Sequence, residues 1–377
     1  MKNLENLKVA IVHDYLHVYG GAEGVVNAIW ELFPNADIYS STYNKEVIDK
    51  AGVLKDAKIF YPHWKDNIPG KFRKIIHRIL IANLPYYFSH LDLSQYDLVI
   101  SSSAHFAKGA KTNDKQLHIS YIHTPPRFLY GYKGEIRKRS YWYWKILLWP
   151  LDTYLKRMDK EFAKRPDFLV CNSKEVKNRI KKIYNRDAIV INPFPEITVS
   201  ESDFEDASKI KGDYYLSLSR LADYKHVDLA INVCGKKNIP LKVAGTGSDE
   251  NELIKLAENY PSVEMLGFVN NDKKFNLYKN CKGMICAVED EDFGMAPLEP
   301  MMFGKPVICL RRGGYLETVN EDVGIFFDEL TEKSLGTALE QFDLVDFDKN
   351  KIRNHALKFS KDRFKSEFIN FVESKLT

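Results

Sequence analysis

The chain has 377 residues, of which 45% are hydrophobic and 28% charged, an ordinary globular composition long enough for two domains. Its net charge of +4 is too small to imply nucleic acid as a partner. The N-terminus carries charges within its first eight residues and lacks the apolar region of a signal peptide, and no run approaches the ~20 apolar residues of a spanning helix, so the cytoplasm is the expected location.

Along the first half, KVAIVHD (8–14) predicts a buried strand, followed by a turn and a helix through AEGVVNAIWELF. DIYSSTY, AKIFY, DLVISSS (97–103), LHISYIH (117–123), DFLVCNS (167–173) and AIVINPF (188–194) predict further strands. The polar stretch 197–212 lacks apolar periodicity and is the expected linker. Beyond it the pattern restarts with YYLSLSR (214–220), LKVAGTG (241–247), VEMLGFV (263–269), GMICAVE (283–289), PVICLRR (306–312) and GIFFD (324–328). Strands alternating with helices imply parallel sheets with right-handed crossovers, and two such series imply two Rossmann-like domains, at 1–196 and 213–360. The final amphipathic stretch, about 361–377, either caps the second domain or crosses back to the first. Cys171, Cys234, Cys281, Cys286 and Cys309 are scattered, odd in number and without CxxC spacing, which reads as buried free thiols.

Four pieces carry candidate chemistry. His13-Asp14 leads to Gly20-Gly21-Ala22-Glu23, where the glycines either only make the turn or also bring backbone and a helix N-terminus close to phosphate. The pattern is not GxGxxG, which argues against a nicotinamide dinucleotide. His123 ends a strand before Thr124-Pro125-Pro126, at the edge where open parallel sheets bind ligands; it is either structural or catalytic. Arg220 and Lys225 flank a loop that leads into a helix, as a cationic clamp for a diphosphate or as solvated surface charges. The stretch 288–299 is the most specific: Glu291 and Glu299 bracket Phe293-Gly294-Met295-Ala296, so that Glu291 can face a sugar and the loop backbone a phosphate, while Glu299 in a first helical turn can accept from ribose hydroxyls. Gly313-Gly314 offers another close-approach turn, with Glu317 after it.

Taken together, VHDYLHVYGGAE, YIHTPPRF, SLSRLADYKHVDLAI, VAGTG, LGFV, EDFGMAPLE and RRGGYLETV run in order from residue 12 to 319, and in them the chain resembles the retaining glycosyltransferases of family 4, in particular the bacterial O-antigen mannosyltransferases. The resemblance implies the GT-B fold, an α/β architecture of two Rossmann-like domains whose parallel sheets face across a cleft, with the C-terminal helix returning to the first. It implies a nucleotide-sugar donor, with GDP-mannose the expected one, and a glycan or polyprenyl-linked acceptor. Arg220 and Lys225 would then bind the diphosphate, Glu299 the ribose and Glu291 the hexose. The Phe293, Gly294, Met295 and Ala296 backbone would hold sugar and phosphate. Gly267, Phe268 and Val269 would lie near the base, Gly245 and Gly20 beside the donor, Gly21 under the phosphates and His123 near the reaction centre. His105 falls outside this set.

Asp290-Glu291-Asp292 formally reads D-x-D, a metal-holding spacing in the other large glycosyltransferase fold, but Arg220 and Lys225 already supply counter-charge, so metal-independent chemistry with no cofactor is expected. Rival readings are a UDP-sugar enzyme of the same fold, a sugar-nucleotide epimerase or glucan synthase, and a non-catalytic sugar-nucleotide or glycan binder. Two segments, 64–78 with Lys65, Lys71, Arg73, Lys74 and Arg78, and 137–149 with Arg137, Lys138, Arg139, Trp142, Trp144 and Trp149, mix basic and aromatic residues. They suit an anionic membrane surface, or else ordinary amphipathic helices.

Overall fold

The computed structural model describes residues 7–63, 81–132 and 142–376, and from 142 to 146 the backbone alone. Most of the two basic, aromatic-rich segments therefore lies outside the described residues. Trp149, at the end of the second, is exposed, as is Tyr86 after the first. No helix among the described residues is long and apolar enough to cross a membrane.

The chain folds into two compact units. In the first, β1 (Val9–His13), β2 (Asp37–Ser40), β3 (Ile59–Phe60), β4 (Leu98–Ser103), β5 (Leu117–Ile122), β6 (Phe168–Cys171) and β7 (Ile189–Val190) form one sheet in the order β3-β2-β1-β4-β5-β6-β7. Every pairing is parallel. Parallel strands need crossover connections, and helices such as Gly21–Leu32 supply them. Sheets covered on both faces leave their strands no solvent side, which is why all five residues of β1 and all six of β4 are buried.

In the second unit, β8 (Tyr215–Leu218), β9 (Leu241–Ala244), β10 (Val263–Gly267), β11 (Gly283–Cys286), β12 (Val307–Leu310) and β13 (Gly324–Phe327) lie in the order β10-β9-β8-β11-β12-β13, again all parallel. Side chains alternate between its faces. Leu216, Met284 and Val307 join one apolar core, while Tyr215, Ile285 and Ile308 join the other. The five cysteines are buried, and none is in a disulfide.

Two boundaries differ from the sequence reading. Among the described residues the second unit begins at Pro193, and the expected linker holds a helix, Glu201–Lys209. Ser200 caps this helix through Asp203 N–H, Phe204 and Ala207 are buried, and buried Lys305 donates to the Ala207 and Ile210 carbonyls at its end. Two apolar positions in nine leave too short a stripe for periodicity to register. The helix Lys361–Leu376 belongs to the first unit. It buries Phe364, Phe368 and Val372, lays Phe364 and Phe368 against Tyr121 of β5, and anchors Lys361 and Lys365 to Glu31.

His118, on β5, is fully buried; its Nε2 meets Ser101 Oγ at 2.9 Å and its Nδ1 has no partner. Burial, aided by Arg165 and Arg186, pushes its pKa from 6.5 to about 3. The neutral ring is thus the folded form, and unfolding takes up a proton below pH 6.5. Stability should fall as the pH drops from 6.5 toward 3, and His118→Gln should flatten that limb of a plot of thermal midpoint against pH.

Candidate active site

A parallel sheet built outward from a central strand in both directions leaves a crevice at the carboxyl ends of the two strands where the order reverses. In the second unit those strands are β8 and β11. The loop after β8 holds Arg220, then a single turn of 3₁₀ helix, Asp223–Lys225, then His226 at φ +50° leading into the helix Val227–Lys236. The loop after β11 holds Glu291. The two loops meet across the crevice, with Lys225 Nζ 3.6 Å from Glu291 Oε2 and about a fifth of each side chain exposed. Lys225 also lies over the Tyr224 ring, and Arg220 is exposed. A partly solvated pair at this distance is weak, so either partner can be drawn to a stronger ligand at little cost.

The loops are held by glycines at points of close approach. Gly313 is at φ +56°, where a side chain would run into the Glu291 carbonyl, and a side chain on Gly314 would overlap the Phe293 backbone. Gly314 N–H donates to that same Glu291 carbonyl at 2.9 Å. The 313–314 turn is thus the floor of the acidic loop. Phe293 is core, its ring against Phe359, so only its backbone faces the site. Gly294, at φ +91°, opens the helix Met295–Met301 without a side-chain cap. Gly245 packs against the Ser219 carbonyl and spends its own N–H on the Gly267 carbonyl at 2.8 Å, so it ties the β8, β9 and β10 loops together. Phe268 is exposed beside them, and Val269 packs on the core.

Glu299 lies in the second turn of the helix Met295–Met301, not in its first as expected, and is buried. Its Oε1 accepts from Lys274 Nζ at 2.7 Å and its Oε2 from the Tyr278 hydroxyl. Both partners come from the helix Asn271–Asn280, an element the sequence reading left without a role. They fix the carboxylate's orientation while leaving lone pairs on each oxygen for further donors.

In the first unit the order reverses between β1 and β4. Here the chain occupies the crevice itself. Asp14, 1% exposed, accepts four backbone N–H groups, from Ala104, His105, Phe106 and Ala107, at 2.6 to 2.8 Å. Burial works to raise its pKa, but His105, His13, Lys108 and those N–H donors outweigh it and hold the carboxyl below its ordinary range. A loop that would otherwise attract an anion is already satisfied by one. His105 lies in this loop, its ring against Tyr15 and Phe128. Gly20, in extended conformation, precedes the helix that Gly21 opens, with no side-chain cap. His123, just past β5, is half-buried, with Nε2 2.8 Å from Ser102 Oγ.

The structure thus gathers Arg220, Lys225, Gly245, Gly267, Phe268, Val269, Glu291, Phe293, Gly294, Met295, Ala296 and Glu299 on the loops and helix starts that follow the strands of one sheet, and Gly20, Gly21 and His123 on those of the other. Sequence reasoning gave no role to Asp14, Glu23, Ser102, Lys274 or Tyr278; Asp14 and Glu23 lie in a noticed motif, but the donors to Asp14 are 90 to 93 residues further along the chain, and Glu23 meets His13 of the same motif. Among the described residues no group of three or more His, Cys, Asp or Glu side chains is arranged to hold a metal ion.

Comparison with known proteins agrees with this geometry. Residues 199–356 match the family described as Glycosyl transferases group 1, and residues 49–194 that described as Glycosyltransferase Family 4. The chain is 30% identical over 380 residues to the alpha-1,3/1,6-mannosyltransferase ALG2 of Dictyostelium discoideum, covering 85% of both chains. It is 27% identical over 384 residues to ALG2 of Yarrowia lipolytica, covering 84% of this chain and 80% of that one. Anabaena Alr3699/HepE, solved in complex with UDP and glucose, has the same fold at a TM-score of 0.69 and 16% identity, covering 98% of this chain and 100% of that one. The apo lipopolysaccharide outer core galactosyltransferase WaaB does so at 0.66 and 18%, with the same coverage. The protein belongs to glycosyltransferase family 4 and has the GT-B fold. It is a glycosyltransferase.

The Asp14 nest predicts a stability effect. Asp14→Asn keeps the shape but turns an amide NH₂ toward two of the four N–H donors. It should destabilise the protein by on the order of 3 kcal/mol, read as a lower urea midpoint at unchanged slope.

Proposed function

We propose that the protein transfers mannose from GDP-mannose, with retention of anomeric configuration, to a glycan or polyprenyl-linked acceptor. The observation that carries the reading is the Lys225–Glu291 pair at the crevice between β8 and β11. The donor diphosphate takes Lys225 and Arg220 as counter-charges, and Glu291, released from Lys225, turns to the hexose hydroxyls. Glu299, oriented by Lys274 and Tyr278, accepts from the ribose. The backbone of 293–296 holds sugar and phosphate, and Gly267 to Val269 line the base.

In this course the bond from the anomeric carbon to the diphosphate breaks first in a loose, cation-like transition state. The acceptor oxygen bonds to that carbon on the same face, and its proton passes to the departing diphosphate. The protein's share is electrostatic: fixed cations stabilise charge that grows on the leaving oxygen. Glu291 positions the sugar. The mannosyl assignment is supported by relatives named as mannosyltransferases.

Lys225→Ala should lower turnover by roughly 10²–10³-fold with an unchanged melting curve, and a chelator should leave wild-type turnover intact; wild-type rates in the variant overturn the cationic role, and loss of activity to the chelator overturns the metal-independent one. A thermal-shift panel of GDP-, UDP-, ADP- and dTDP-sugars should single out GDP-mannose, since a ligand at about 100 times its Kd stabilises by ~2.7 kcal/mol. A larger shift with a UDP-sugar moves the assignment to that donor.

A further inference from the structure

His123 is joined to a buried line of polar groups that the donor chemistry does not use. Its Nε2 lies 2.8 Å from Ser102 Oγ. Ser102, fully buried on β4, sits opposite His13 of β1 in the sheet register. His13 Nδ1 is 3.1 Å from both the hydroxyl and the carbonyl oxygen of Ser102. At the far side of the ring, His13 Nε2 is 3.4 Å from Glu23 Oε1, on the first turn of the helix Gly21–Leu32. His13 and Glu23 are 2% and 3% exposed.

Donor and acceptor chemistry orients this line. A carbonyl oxygen only accepts, so the Ser102 carbonyl requires a proton on His13 Nδ1. That N–H also faces Ser102 Oγ, whose lone pairs receive it and whose own hydrogen is left for His123 Nε2. An Nε2 that accepts is unprotonated, and the neutral ring then carries its hydrogen on Nδ1. Glu23, facing His13 Nε2, favours a second proton there and keeps the direction from reversing. Burial works against charge on His13, but Glu23, Asp14 and the Ser102 carbonyl overcome it and raise its pKa. At His123, burial and the His13 charge push the pKa to about 3, against a smaller opposing pull from Asp14.

We propose that Glu23, His13 and Ser102 are positioning residues that lock His123 as a neutral imidazole protonated on Nδ1, so that it serves sugar transfer as a hydrogen-bond donor and not as a base. This rests on the reading that His123 meets the reacting sugar. A donor at that place can hold a hydroxyl or ring oxygen of the transferring hexose. It does not compete with the leaving diphosphate for the acceptor's proton.

The test reads the ring directly. In the full-length protein labelled with ¹⁵N-histidine, the His123 signals, assigned with His123→Gln, should show a protonated Nδ1 and bare Nε2 that do not titrate near neutral pH. Ser102→Ala should mix the two tautomers and lower kcat roughly tenfold or more, as for loss of one hydrogen bond, with the donor KM unchanged. Ser102→Thr, which keeps the hydroxyl, should restore both. A wild-type His123 protonated on Nε2, or titrating near its ordinary pKa, overturns the proposal. So does a Ser102→Ala enzyme that folds and retains both tautomer and rate. If Ser102→Ala melts early, the wild-type spectrum and Ser102→Thr still decide. The tautomer is independent of turnover, so a failure of the glycosyltransfer reading shows separately, in the Lys225→Ala rates.

Discussion

The geometry of a parallel sheet governs this molecule. Strands that run one way bring all their carboxyl ends to one edge, and helices that leave in opposite directions from a central strand cannot close that edge. Both units inherit the gap, and the chain treats the two gaps in opposite ways. In the first, Asp14 enters and takes four N–H donors, so the loop is rigid and electrically satisfied. In the second, Lys225 and Glu291 hold one another loosely at 3.6 Å, partly in water. A satisfied gap is scaffold, and a loosely paired one is a place for a ligand with more charge to offer. The proposed placement of the donor's phosphates on the second unit rests on that contrast.

The acidic loop around Glu291 depends on neighbours that contribute no chemistry. Gly313 and Gly314 bring the β12 loop to within a hydrogen bond of the Glu291 carbonyl, and the buried Phe293 pins the next turn. Glu299 is likewise held from two sides by Lys274 and Tyr278. A carboxylate already bonded along two directions cannot swing, so whatever reaches it meets a fixed acceptor. Preorganisation of this kind makes a polar site effective, because little reorientation is left for the moment of binding.

The fold was legible because its strands are buried on both faces: continuous apolar runs such as VAIVH and VICL stand out from the amphipathic helices between them. The helix Glu201–Lys209 was missed because two buried side chains among charged ones look like solvent-exposed chain. The candidate site was legible where its residues cluster, as at 291–299. It was opaque where partners are remote, as with Glu299 and Lys274, or His13 and Ser102, because pairs far apart in the chain leave no local pattern. Gly245 shows a third situation: the sequence marks a special glycine, but only the structure shows that its N–H is used inside the protein.

The returning helix Lys361–Leu376 has a bearing on how the protein is made. Phe364 and Phe368 complete the packing over Tyr121, and Lys361 and Lys365 reach Glu31 near the start of the chain. These residues are made only after the whole of the second unit. The first unit therefore waits, with an apolar face uncovered, through synthesis of the entire second unit, and the order of assembly runs opposite to the order of translation.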